Sequence, residues 1–136
     1  RQKGFEFGTT TGRPRRCGWL DTVILKYSVR TSGLTSLVVN KLDTLSGIET
    51  LKICVGYKNG DEILTEFPAD LSVLEKCEPV YEEMPGWNED LTGIRRFEDL
   101  PESAKHYIKR IEELCDVKIW MIGVGPGREQ NIIKEA

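Results

Sequence analysis

A short stretch near the start of the chain concentrates side chains that can bind small anions. Residues 8–16 read Gly-Thr-Thr-Thr-Gly-Arg-Pro-Arg-Arg. A guanidinium donates two parallel hydrogen bonds to a carboxylate or a phosphate, and a glycine lets backbone N–H groups come close to a ligand. The stretch predicts an anion-binding loop. A solvated turn with surface charges is the alternative, because arginine-rich loops are common.

A second candidate site follows the apolar run at residues 37–39 and reads Asn40-Lys41-Leu42-Asp43. The Asp43 carboxylate can accept hydrogen bonds from both the N1–H and the exocyclic amine of guanine, a pair of donors that adenine does not present. GTP-binding proteins use this Asn/Thr-Lys-x-Asp arrangement. Four loosely specified positions also match by chance, so a polar strand end followed by a turn is the alternative.

A third segment, at residues 123–128, reads Gly-Val-Gly-Pro-Gly-Arg. Its glycines let main-chain groups face a ligand directly. It is not a Walker phosphate loop, because no Gly-Lys-Ser/Thr follows, and its glycine spacing differs from the dinucleotide fingerprint. By itself the segment predicts a turn.

The elements that must position these segments interleave helices and strands, so the predicted class is α/β. Both Asn40–Asp43 and Gly123–Gly127 come directly after a strand, where ligands bind in such sheets. Asn59-Gly60 predicts a β-hairpin turn. The pattern predicts helices at 19–31 (with Gly33 as C-cap), at 70–76 and after Pro101, and strands at 37–39, 51–57, 62–67, 80–84 and 117–122.

Composition narrows the class of protein further. With 136 residues and a net charge of −3, the chain is expected to be one structural unit, residues 1–136, without a global basic field for nucleic acid. No apolar run is long enough to span a membrane, and no signal peptide is expected. The four cysteines form no Cys-x-x-Cys pair and His106 is the only histidine, so free thiols in a reducing cytosol are expected and a zinc site is not.

In this order, the segments resemble the adenylosuccinate synthetase family over essentially the whole chain, as a C-terminal portion. The stretches that carry the resemblance are Phe7–Asp21, Lys41–Asp43, Leu45–Gly47, Tyr81–Trp87, Tyr107–Leu114 and Gly123–Pro126. The resemblance implies a mostly parallel-sheet fold related to P-loop GTP-hydrolysing proteins, and the Asn59-Gly60 turn adds a β-hairpin near 51–67. It also implies a cytoplasmic homodimer in purine (AMP) biosynthesis that ligates IMP and L-aspartate, using GTP as co-substrate and Mg²⁺.

The resemblance also assigns site residues. Thr9, Thr10, Thr11, Gly12, Arg13, Pro14 and Arg15 would form the loop that binds aspartate and IMP. Arg15 would also approach GTP, together with Lys41, Leu42, Asp43, Gly123, Val124 and Gly125. Asn40 stands where the family usually has Thr, and Asn is what other GTP-binding proteins use.

The catalytic residues and the Mg²⁺ ligands of the family belong to its N-terminal part, so none is expected in this chain. The family's Gly-rich phosphate loop is not found in the sequence. The chain alone is therefore expected to be inactive, as part of a GTP-dependent carbon–nitrogen ligase. The alternative is a nucleotide- or aspartate-binding fragment without turnover. A third hypothesis, nucleic-acid binding by the arginine cluster, is disfavoured by the acidic remainder of the chain.

Overall fold

A computed structural model of the protein describes residues 18–134. In chain order the elements are β1 (Leu20–Asp21), α1 (Thr22–Ser32), β2 (Ser36–Val39), a 3₁₀ helix (Leu42–Leu45), β3 (Thr50–Asn59), β4 (Glu62–Leu64), α2 (Leu71–Lys76), β5 (Glu78–Pro85), a second 3₁₀ helix (Phe97–Asp99), α3 (Glu102–Cys115), β6 (Lys118–Gly123) and β7 (Asn131–Ile133). Strands and helices interleave, and the predicted α/β class is confirmed.

Helix α1 begins later than the apolar spacing predicted. Asp21 caps it, since its carboxylate accepts hydrogen bonds from the backbone N–H groups of Val23 and Ile24. An aspartate at this position satisfies donors that the first turn leaves unpaired. The preceding Leu20 belongs instead to β1. The helix ends at Gly33, which has a φ of 63° and is the predicted C-cap.

The first sheet is built around β3, which pairs parallel to β1 and antiparallel to β4 and β5. The predicted hairpin is confirmed. Asn59 pairs with Glu62, so Gly60 and Asp61 form the connection, and Gly60 adopts the left-handed φ of 63°. Strand β4 ends at Leu64 rather than at residue 67, because Phe67 turns away to pack on Tyr27 and Tyr57.

The second sheet has the order β2-β6-β7, with β2 and β6 parallel and β6 and β7 antiparallel. Strand β7 was not predicted from the sequence. Across residues 18–134 there are two parallel and three antiparallel strand pairings, so the mostly parallel sheet that the resemblance implied is not what this part of the chain shows. Nor is β2 a fully buried strand, since Val38 is exposed.

Helix α3 contacts α1, β5 and β6, and so joins the two sheets. The helix predicted after Pro101 presents one apolar stripe to the core: Ala104, Tyr107, Ile108, Ile111 and Cys115 are buried, and Leu114 is partly buried. They belong to a core cluster that also contains residues of β3 and β6. Burial of this stripe holds the sheets in one arrangement.

An ion pair fixes the outer face of α3 to β5. The Arg110 guanidinium donates two hydrogen bonds to the Glu82 carboxylate, at 2.7 and 2.8 Å. Two parallel bonds define the orientation as well as the separation of the two elements. The contact therefore connects two of the stretches that carry the family resemblance, residues 81–87 and 107–114.

The cysteines within the described range are free thiols, as predicted. Cys54 and Cys115 are buried and Cys77 is partly buried, whereas Cys17 lies outside the described residues. Burial raises the pKa of the Cys115 thiol to about 11. Of the helices at residues 18–134, none is long and apolar enough to cross a membrane.

Candidate functional site

The parallel pairing of β2 with β6 brings two of the predicted binding segments together. Val39 is paired with Ile122, so the chain leaves both strands at the same edge of the sheet. The main chains at Asn40 and Gly123 lie close together. A Cβ built on Gly123 would lie 3.0 Å from Oδ1 and 3.4 Å from Cα of Asn40. Residues 40–43 and 123–125, remote in sequence, are therefore neighbours at this edge.

Lys41 makes the turn between β2 and the first 3₁₀ helix. Its backbone is left-handed, with a φ of 61°, which is uncommon for a residue other than glycine. The Lys41 carbonyl accepts hydrogen bonds from both the N–H and the hydroxyl of Thr44, at 3.1 and 2.7 Å. This turn buries the Leu42 side chain and leaves the Lys41 residue exposed at the edge.

Asp43 carries the clearest sign of a ligand. Its Oδ1 atom is buried and has no hydrogen-bond partner in the part of the chain that the structure describes. A buried carboxylate oxygen without a donor is costly, and such atoms are rare in folded proteins. A ligand with N–H donors would satisfy this atom, as the sequence predicted for guanine.

The glycine loop after β6 is a closed turn. The Val124 N–H donates to the Gln130 carbonyl at 2.9 Å, and the Gln130 N–H donates to the Gly127 carbonyl at 3.1 Å. The Val124 side chain is fully buried in the core. Val124 is therefore limited to main-chain contacts with any ligand at this edge, a restriction that the sequence did not indicate.

A cleft of about 330 Å³ lies along β2, next to the candidate site. It is lined by residues 37–42 in succession and by apolar or aromatic side chains from α1 and α3, including Leu25 and Tyr107. Neither Asp43 nor the glycines of 123–125 line it. Asn40, Lys41 and Leu42 of the candidate segment do line it, so the cleft adjoins the Asp43 position.

The predicted aspartate loop, Thr9–Arg15, lies outside the described residues. The segment that follows this loop contains β1 and the start of α1, and hydrogen bonds join it to β3. Thr22 donates from its buried hydroxyl to the Cys54 carbonyl at 2.7 Å, and Tyr57 donates to the Asp21 carboxylate at 2.5 Å. The capping pattern of an aspartate before an apolar-periodic segment could have identified Asp21 from the sequence.

No group of three or more His, Cys, Asp or Glu side chains within residues 18–134 is arranged to hold a metal ion. His106, which the sequence analysis did not place in a catalytic role, is exposed on α3.

The fold and this edge define a class: an α/β protein whose candidate ligand site lies at the carboxyl ends of two parallel strands. The family model described as adenylosuccinate synthetase matches residues 1–132 of the chain. The chain belongs to the adenylosuccinate synthetase family.

Individual relatives agree with this assignment. The adenylosuccinate synthetase of Brevibacillus brevis is 59% identical over 133 residues, which are 98% of this chain and 31% of that protein. The adenylosuccinate synthetase of Heliobacterium modesticaldum is 60% identical over 132 residues, which are 97% of this chain and 31% of that protein. The structure of fully ligated adenylosuccinate synthetase from Plasmodium falciparum is similar with a TM-score of 0.93 and 45% identity, covering 99% of this chain and 33% of that one.

The chain thus spans about a third of the length of these relatives. The family that the sequence predicted is confirmed, and its members are ligases of purine biosynthesis. The predicted C-terminal position of the segment and the kinship with P-loop proteins are not confirmed by these comparisons.

Proposed function

We propose that this chain is the C-terminal part of a GTP-dependent ligase that joins IMP and L-aspartate into adenylosuccinate. It supplies guanine-recognition residues and an aspartate-binding loop to that reaction. The observation that carries the proposal is the convergence of Asn40–Asp43 and Gly123–Gly125 at one sheet edge, with a buried Asp43 oxygen that has no partner among the described residues.

Guanine recognition follows from the chemistry of this edge. The Asp43 carboxylate accepts from the N1–H and the exocyclic amine of the base. The Lys41 stem lies along the base plane, while the glycines at 123 and 125 admit the base close to the main chain. Adenine lacks the pair of donors and leaves Asp43 unsatisfied, so it is disfavoured.

The arginine-rich loop binds the second substrate. Thr10, Thr11, Arg13 and Arg15 hold the aspartate carboxylates through paired, charge-assisted hydrogen bonds. Arg13 also reaches the IMP ribose, and Arg15 approaches GTP. GTP phosphorylates the 6-oxygen of IMP, and the aspartate amine then displaces that phosphate. The loop orients the amine for this second step.

The groups that perform phosphoryl transfer belong to the rest of the family's chain. Mg²⁺ would be held there as well, and no step assigned to residues 18–134 runs through it.

The edge of β2 supports a larger assembly: within the described residues β2 pairs on one side only, and the apolar cleft follows the same strand. We propose a cytoplasmic homodimer as the working form.

The test is direct. The coding sequence upstream of Arg1 is expected to encode a Gly-rich phosphate loop, and the protein it specifies is expected to form adenylosuccinate from IMP, aspartate and GTP. Calorimetric titration with GDP and ADP is expected to show binding of GDP alone. If the protein binds GDP but forms no adenylosuccinate, the alternative of a nucleotide-binding protein without turnover holds. If ADP binds as tightly as GDP, the proposed guanine site is rejected.

A further inference from the structure

The side chain of Gln130 lies inside the glycine loop that follows β6. Its Oε1 atom accepts a hydrogen bond from the Gly127 N–H at 2.8 Å, while its backbone carbonyl accepts from Val124 at 2.9 Å. One residue thus satisfies main-chain donors on both arms of the turn. The residue is only partly exposed, so these bonds are shielded from water.

The loop is shaped around this amide. A Cβ built on Gly125 would lie 2.3 Å from both Cδ and Nε2 of Gln130, which is far inside van der Waals contact. A Cβ on Gly127 would lie 2.9 Å from Oε1 of the same side chain. The two glycines therefore leave the space that the Gln130 amide occupies, and the amide in turn fixes the path of the main chain around it.

The amide also connects this loop to the turn at residues 90–94. Its Nε2 atom lies 3.4 Å from the Thr92 carbonyl, a longer and weaker contact than the bond to Gly127. Thr92 is itself fixed, since both its N–H and its hydroxyl donate to the Asp90 carboxylate, at 2.9 and 2.8 Å. Leu91, fully buried, anchors that turn in the core.

We infer that Gln130 is a positioning residue for GTP: it holds the main chain of Gly123–Gly125 against the guanine without touching the nucleotide. The inference rests on the guanine site proposed above. The bond that matters is the acceptor contact to the Gly127 N–H, because it is the shorter of the two and closes the loop from inside.

Three variants of the full-length protein separate this role from simple packing. Gln130→Met keeps the length of the side chain and removes the acceptor, and Gln130→Asn keeps an amide that is too short to reach Gly127. Gln130→Glu keeps the acceptor and loses the donor. The control is Glu75→Gln, on an exposed residue of α2.

The readout is the Kd for GDP by calorimetry, with the KM for GTP, aspartate and IMP from steady-state rates. We expect Gln130→Met and Gln130→Asn to weaken GDP and raise the KM for GTP about tenfold, equivalent to about 1.4 kcal/mol. The KM for aspartate and the kcat are expected to stay within about twofold. Gln130→Glu is expected to lose less than the two acceptor-deleted variants, and Glu75→Gln is expected to stay close to the parent protein.

Several outcomes would overturn the inference: unchanged GDP binding in both acceptor-deleted variants, an equal loss in Gln130→Glu, or a uniform rise in all three KM values. If one deletion variant fails to fold, the other still gives the answer. These outcomes differ from a failure of the proposed function. In that case the parent protein itself would bind GDP and ADP equally well.

Discussion

The indole N–H of Trp87 donates a hydrogen bond to the hydroxyl of Ser46 over 3.0 Å, and both residues are buried. The Ser46 hydroxyl donates in turn to the Glu89 carbonyl at 2.8 Å. A backbone bond from Gly47 to the Trp87 carbonyl, also 2.8 Å long, runs beside them. These contacts join the Leu45–Gly47 and Tyr81–Trp87 stretches, which the family resemblance had picked out separately.

Replacing Ser46 by Ala is expected to destabilise the protein, because the indole N–H stays buried and loses its acceptor. The expected loss in the free energy of unfolding is ~1–3 kcal/mol. Urea denaturation followed by tryptophan fluorescence measures it. Ser32→Ala, at the exposed end of α1, is the control and is expected to change stability by less than ~0.5 kcal/mol. A similarly small change in Ser46→Ala would contradict the role given to this hydrogen bond.

Gly86→Ala is expected to be the more damaging change in the same region. A Cβ at Gly86 would lie 1.7 Å from the Ile48 carbonyl oxygen, a main-chain atom that cannot move aside without shifting the backbone. We expect a loss of about 3 kcal/mol or more. Gly93→Ala is the matched control, since nothing lies within 4 Å of its added Cβ. Equal thermal midpoints for the two variants would refute the packing described here.

The hydrogen bond from Tyr57 to Asp21 predicts a dependence of stability on pH. Burial raises the pKa of the Tyr57 hydroxyl, and the Asp21 carboxylate that accepts its proton at 2.5 Å raises it further. The neutral phenol is therefore favoured in the folded state. The contribution of this hydrogen bond to the free energy of unfolding is fully present below about pH 10, the pKa of tyrosine in the unfolded chain. It is lost as the pH rises through the higher pKa of Tyr57 in the folded state.

Accordingly, Tyr57→Phe is expected to lower the free energy of unfolding by ~1–3 kcal/mol at pH 7, and by progressively less above pH 10. Urea unfolding of both proteins at pH 7, 9 and 10.5 measures this difference. Burial also raises the pKa of Tyr107, to about 12, but that group is common to both proteins and cancels in the comparison. A difference that stays constant with pH would argue against the tyrosine–aspartate bond.

Asp43→Asn tests guanine recognition. An amide offers one acceptor and one donor in place of two acceptors, so one of the two base contacts is lost. We expect the KM for GTP to rise about 10- to 100-fold, with weaker discrimination against other purine triphosphates. Without ligand the variant is expected to be at least as stable as the parent, because a neutral amide replaces a carboxylate whose buried oxygen has no partner among the described residues. Asp99→Asn, at an exposed position, is the control. Retained preference for GTP would reject the role of Asp43.

Arg15→Leu tests the aspartate loop. Removing a bidentate carboxylate contact is expected to raise the KM for aspartate by about 10-fold or more, as measured from initial rates at saturating IMP and GTP. Arg96→Leu is a suitable comparison, because Arg96 is exposed and its side chain makes a long contact of 3.7 Å with Glu98. An aspartate KM that does not move in Arg15→Leu would remove this residue from the substrate site.

Local patterns predicted the longer elements well. The stripe on α3 and the Asn59-Gly60 turn are strong signals, because they depend on residues that are near one another in the chain. Strands β1 and β7 were missed since two or three residues carry too little periodicity to register. Gln130 was not predicted for another reason: its contact with Gly127 lies inside a turn, and no composition rule marks such a contact.

The family and the amphipathic face of α3 follow from the sequence alone, as do the residue types that we propose for binding guanine and aspartate. The tertiary structure decided which of these residues meet. The pairing of Val39 with Ile122 is a contact between remote strands, and it depends on the packing of the whole core rather than on local propensity. That pairing brings Asn40 beside Gly123, and the turn at Lys41 buries Leu42 and the Oδ1 atom of Asp43.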